Sequence, residues 1–175
     1  MVDGLEKVRE ETNLCWLKTL KKIATIHQQL YVAFSGNLND CMSVFGGIAP
    51  HLSKSTSVEQ CTTAVMNWIK ESSGYHSNDF NAQLIIAGCN SFGQLKFNSV
   101  RCYDHELICE RYNLTDTAQF TVCSALDASD DFITPLMNQR KSLLDQMVDV
   151  VKEAAKRNPS INDQIFYEII TDQMQ

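Results

Sequence analysis

Short apolar runs and one-sided apolar stripes divide this chain into alternating strands and helices. A buried strand is predicted at residues 30–35, where the run ends in Ser-Gly. A helix is predicted next, because Asn37 is a suitable N-cap and Asp40 favours a first helical turn. Its apolar face recurs at steps of four and three residues: Leu38, Met42, Phe45, Ala49 and Leu52. The pair Gly46-Gly47 counts against a regular helix in the middle of this segment.

A second helix is predicted to begin after Ser57. Gln60 follows three residues later, which is the spacing of a capping box. The predicted apolar face of this helix consists of Val58, Cys61, Val65 and Trp68. Residues 71–79 are polar and predict a loop. Before these helices, residues 15–26 fit either a helix or a strand, and residues 1–14 show no clear period.

The second half of the chain predicts a series of strands followed by helices. Strands are indicated at 83–90, 94–100, 106–112 and 119–125, and Ser-Phe-Gly at 91–93 predicts a tight turn between the first two. Residues 126–140 predict a helix interrupted by Pro135. The strongest helical pattern covers 142–157, where two apolar rows run side by side and Pro159 stops the helix. A last strand is predicted at 164–171.

This order predicts an α/β chain of the α+β type that forms a single domain over residues 1–175. Consecutive strands joined by short turns favour antiparallel pairing. Helices in two separate blocks favour cover on both outer faces of the sheets. The expected architecture is therefore two packed, mostly antiparallel sheets with a helix pair on each outside, with residues 1–14 as a poorly defined N-terminal segment.

Composition narrows the classes of function. The 175 residues carry a net charge of −6, and no block of basic residues favours nucleic acid or a membrane as a partner. The charged N-terminus does not resemble a secretory signal, so we expect a cytoplasmic protein. The seven cysteines are odd in number and widely spaced, which predicts buried free thiols rather than a disulfide framework.

Cys102, His105 and Cys109 raise the alternative of a zinc site, completed by Cys89 or Cys123. The short C-x-x-C spacing of structural zinc sites is missing, so buried thiols beside a surface histidine are the favoured interpretation. No Gly-rich phosphate loop, His-Glu metal motif or nucleophile elbow is present in the sequence. We therefore predict no cofactor and no metal.

Four stretches of the chain resemble, in order, the proteasome-type branch of the N-terminal-nucleophile (Ntn) hydrolases. They are LKKIATI followed by LYVAFSGNLNDC, AQLIIAGCNSFGQLKFNSV, QFTVCSALD, and VVKEAAKRNPSINDQIFYEIITD. The resemblance covers roughly residues 15–172 and implies a four-layer αββα sandwich. In that family the first residue of the processed chain is the nucleophile, its amino group is the base, and a lysine lowers the effective pKa of the pair.

The resemblance assigns candidate residues one by one. The family lysine matches Lys22, with Lys21 as the neighbour that could be confused with it. The oxyanion turn matches Gly36 and Asn37, where the family usually has two glycines. The supporting serine matches Ser124.

Other family positions do not match. Asn158 stands near the late aspartate, and Ser160, Ile161 and Asn162 replace the usual Ser-Gly-Gly. Fourteen residues precede Cys15, too few for the family's first two strands, so we expect an N-terminally truncated domain without the catalytic strand. Cleavage before Cys15 would create a thiol nucleophile, although it would lie very near Lys22 in sequence.

The expected function follows from the resemblance. The first expectation is a non-catalytic subunit of a homo-oligomer, or a partner of related proteasome-like subunits, in which Lys22 and Ser124 are vestigial. The alternative is a threonine-type peptidase whose nucleophile lies upstream of Met1. A third and weaker expectation is a small-molecule amidase of the wider superfamily.

Overall fold

The computed structural model describes residues 2–3, 6–10, 13–17, 22–27, 29–72, 80–113, 131–157, 165–167 and 170. The first part of the chain forms five strands and two helices: β1 (Val2–Asp3), β2 (Glu6–Glu10), β3 (Asn13–Leu17), β4 (Ile23–His27), β5 (Leu30–Gly36), α1 (Leu38–Ile48) and α2 (Val58–Glu71). The second part forms β6 (Ala82–Cys89), β7 (Leu95–Tyr103), β8 (Glu106–Asn113), α3 (Ile133–Met137), α4 (Leu143–Arg157) and β9 (Ile165–Phe166). The chain forms two compact units, residues 24–123 with 169–175 and residues 1–23 with 124–168.

The larger unit is built on a five-stranded sheet in the order β4-β5-β6-β7-β8. From β5 onward each strand pairs antiparallel with the next, with Val32 opposite Ile86 and Leu84 opposite Val100. Burial alternates along β5 and β6, since every second side chain points to the same face of a sheet. These antiparallel strands confirm the α+β prediction.

One face of this sheet and the inner faces of α1 and α2 enclose the core. Fully buried aliphatic residues from all three elements meet there, and the largest are Leu30, Val32, Val44, Ile48, Val58, Val65, Ile69, Leu84, Ile86 and Val100. One polar contact crosses the core, in which the Asn98 amide donates to Thr62 Oγ1 at 2.8 Å. The hydroxyl of Thr62 in turn donates to the Val58 carbonyl at 2.7 Å, so both buried polar groups are partnered.

The predicted apolar face of α1 is confirmed in part. Leu38, Phe45 and Leu52 pack against the core, and the ring centre of Phe45 lies 5.3 Å from that of Phe34 in β5. Met42 is wrong, because it is 52% exposed, and Ala49 lies outside the helix. The prediction also missed the buried residues of α1, which are Cys41, Val44 and Ile48. The helix ends at Ile48 because Pro50 follows in a short 3₁₀ turn, Ala49–His51.

Helix α2 confirms its predicted start. Ser57 accepts from the backbone N–H of Gln60, and the Gln60 side chain accepts from the N–H of Ser57 at 2.8 Å, so the capping box is complete. Its buried residues include Val58, Cys61 and Val65 as predicted. Ile69 is fully buried, while Trp68 is only partly buried and packs beside α1.

The N-terminal part of the chain forms strands where the sequence showed no period. β2 and β3 form an antiparallel pair in which Val8 lies opposite Cys15. The ambiguous segment 15–26 is therefore strand at both ends, in β3 and β4. β2 contains a single apolar residue, so hydrophobic periodicity offered no signal there.

The smaller unit also contains the β1–β9 pair and the helices α3 and α4. The guanidinium of Arg157 lies 4.5 Å from the ring centre of Phe132, which links the end of α4 to the start of α3. Within α4 it also bonds Glu153 at 3.1 Å. Helix α4 agrees with its prediction at 142–157. The strand predicted at 119–125 lies outside the described residues, and of the strand at 164–171 the structure describes β9.

Candidate functional site

The candidate site lies where β5 ends and α1 begins. Gly36 has a φ of +104°, a left-handed conformation that residues with a Cβ rarely adopt. A Cβ at this position would also lie 2.6 Å from the backbone oxygen of Asn81, which is too close. The turn therefore needs glycine for its backbone conformation and for the close approach of Asn81.

Asn37 confirms its prediction as the N-cap of α1. Its side-chain oxygen accepts from the backbone N–H groups of Asn39 at 2.9 Å and Asp40 at 3.3 Å. Its own backbone N–H donates to the Asn81 carbonyl at 2.8 Å. Both the side chain and the N–H of Asn37 are thus engaged in contacts inside the joint.

Asn81 is the residue of this joint that sequence reasoning missed. Its carbonyl accepts from Asn37, and its N–H donates to Asp40 Oδ2 at 2.9 Å. Forty-one positions separate Asp40 from Asn81, so no local pattern connects the two residues. Asp40, predicted only to favour the first helical turn, also ties α1 to the segment before β6.

Two cysteines lie beside this joint. The thiol of Cys41 donates to the Ser35 carbonyl at 3.3 Å. Burial, together with the nearby negative charge of Asp40, raises the pKa of the Cys102 thiol to about 11. Burial alone raises the pKa of Cys61, which lies in α2, to about 11. Since the thiolate is the nucleophile, neither Cys61 nor Cys102 is activated at neutral pH.

The prediction of thiols rather than disulfides is confirmed where the structure describes cysteine side chains. Cys41, Cys61, Cys89 and Cys102 are buried thiols, and Cys109 is a half-buried one. Cys102, His105 and Cys109, the residues of the zinc alternative, belong to the β7–β8 hairpin. Within the described part of the chain, no three His, Cys, Asp or Glu side chains are grouped as a metal site would require.

The other site residues named by the resemblance are not tested by the described structure. Lys22 is half-buried, directly precedes β4 and belongs to the smaller unit. Ser124, Lys21, Asn158 and residues 160–162 lie outside the described residues, as does the side chain of Cys15. The roles of Lys22 and Ser124 remain predictions, and the structure brings together Gly36, Asn37, Asp40 and Asn81.

Comparison by sequence finds no matching protein family and no matching curated protein. Comparison by structure finds Anbu (ancestral beta-subunit) from Yersinia bercovieri, with a TM-score of 0.64, 16% identity, and coverage of 92% of this chain and 72% of that one. The helical assembly of the Anbu complex from Pseudomonas aeruginosa gives a TM-score of 0.57 at 14% identity, covering 91% and 71%. Eukaryotic HslV from Trypanosoma brucei gives 0.57 at 13% identity, covering 91% and 86%.

The similar structures show the fold of this chain. The chain has an α+β, Ntn-hydrolase-like fold of the kind found in Anbu and HslV, as the resemblance predicted. At identities of 13–16% the likeness is one of fold. Separately, no helix among the described residues combines the length and apolarity needed to cross a bilayer.

Proposed function

We propose that this chain is a proteasome-like subunit that is non-catalytic by itself and acts as a structural or interaction component of a cytoplasmic oligomer. The partners are further copies of the chain or related proteasome-like subunits. The fold likeness supports the proposal, because one of the similar structures is a helical assembly and another is named an ancestral beta-subunit. Fold alone does not define function, so the joint carries the more specific argument.

The observation that carries the proposal is that the backbone N–H of Asn37, in the candidate oxyanion turn, is already bonded within the fold. An oxyanion hole needs N–H donors aimed at an open space where charge develops. In this chain the N–H of Asn37 is bonded to Asn81 at 2.8 Å, and Asn81 is fixed in turn by Asp40. This N–H therefore serves the strand-to-helix connection between β5 and α1.

The alternative function is a threonine-type peptidase whose nucleophile lies upstream of Met1. Two features favour it. Lys22, which the resemblance matches to the family lysine, directly precedes β4, and Gly36 has a left-handed backbone at the end of β5. In this alternative Lys22 activates the upstream nucleophile, and Asn37 remains a helix cap.

Intact-mass measurement of the purified chain, with and without an epoxyketone or vinyl-sulfone probe, separates the two functions. The non-catalytic proposal expects an unprocessed mass and no adduct, together with an oligomer in light scattering. A covalent adduct on a processed N-terminus would establish the peptidase instead. Translation of the DNA upstream of Met1 is the matching genetic test, since an in-frame stop removes the peptidase alternative.

Light scattering over a series of protein concentrations gives the oligomeric state. A protein that is monomeric at every concentration would overturn the subunit proposal, whatever the result of the mass measurement. An oligomer that forms no adduct with the probe supports the proposal.

A further inference from the structure

We draw no further inference here: the strongest candidate, the groove of about 680 Å³ between α2 and the segment that precedes it, is lined mostly by polar side chains around Trp68, and nothing in the described part of the chain shows which ligand or partner would occupy it.

Discussion

The indole ring of Trp68 in α2 occupies the space that a side chain at position 47 of α1 would need. A Cβ added to Gly47 would overlap three atoms of the ring, whereas a Cβ added to Gly46 would meet nothing within 4 Å. The two glycines that weaken the sequence signal for α1 therefore differ in role. Gly47 lets two helices approach closely, and Gly46 has no packing role.

Gly47→Ala is expected to destabilise the protein, because Trp68 must move out of its place against α1. Overpacking of this kind costs about 1–3 kcal/mol. Gly46→Ala is the matched control and is expected to stabilise by up to about 1 kcal/mol, since alanine has the higher helix propensity. Urea unfolding of both variants measures the difference, and equal effects would show that Trp68 does not depend on Gly47.

Asn37 is expected to matter as a helix cap. Asn37→Ala removes the side-chain acceptor for Asn39 and Asp40 and should cost about 0.5–2 kcal/mol of unfolding free energy. Asn37→Gly should cost only a few tenths of a kcal/mol, because glycine is an acceptable cap residue. The backbone bond to Asn81 is available to both variants. Thermal unfolding that ranks glycine below alanine would refute the capping role.

The β7–β8 turn offers a stabilising substitution. Asp104 and His105 both have positive φ, at 49° and 63°, between the paired residues Tyr103 and Glu106. Two-residue turns of this type strongly prefer Asp-Gly or Asn-Gly. His105→Gly is therefore expected to raise the unfolding free energy by up to about 1 kcal/mol, as it removes a left-handed conformation from a residue with a Cβ.

His105→Ala separates the backbone from the imidazole ring, since alanine loses the ring and keeps the unfavourable conformation. It should give no gain in the same denaturation experiment. A gain with alanine would mean that the ring, and not the backbone, is the source of strain.

Glu110 should give a small pH dependence. The hydrogen bond from Arg101, with a second from Tyr112, lowers the pKa of Glu110 below its ordinary value of 4.5. A carboxyl whose pKa is lower in the folded state stabilises the protein above its unfolded pKa, and this contribution is lost as the pH falls through the folded value. The side chain is 41% exposed, so solvent screening limits the contribution to roughly 0.2–1 kcal/mol.

The measurement compares the wild type with Glu110→Gln at a series of pH values. The difference in unfolding free energy should be present at neutral pH, vanish in acid and shrink in high salt. A difference that grows as the pH falls below 4.5 would contradict the sign of the shift.

Patterns over a few consecutive residues predicted those features that depend on residues close together in the sequence. The capping box of Ser57 and Gln60, the N-cap at Asn37 and the order of strands 83–112 are examples, and the structure confirms them. Period alone did not locate the centre of the buried face of α1, so Met42 was assigned inward and Cys41, Val44 and Ile48 were missed. The centre of that face depends on how α1 packs against β5.

The features that the sequence did not predict depend on specific polar contacts, one of them between residues far apart in the chain. Asn81 closes the joint with Asn37 and Asp40 although it belongs to neither β5 nor α1. Gln146 is buried in α4 and donates to the Lys141 carbonyl at 2.8 Å, which a hydrophobic pattern does not anticipate. Resemblance named Gly36 and Asn37, and the structure shows that Asn81 bonds Asn37.

Each hydrogen bond that holds the turn of residues 90–94, between β6 and β7, either involves the Asn90 side chain or joins two backbone groups. Within the described residues, none of these bonds uses the side chain at position 91 or 92. The fold of this turn therefore does not depend on which side chains it exposes there. The residues at positions 91 and 92 could therefore change in evolution while the underlying sheet stays intact. The same property makes positions 91 and 92 a natural place to graft a recognition peptide.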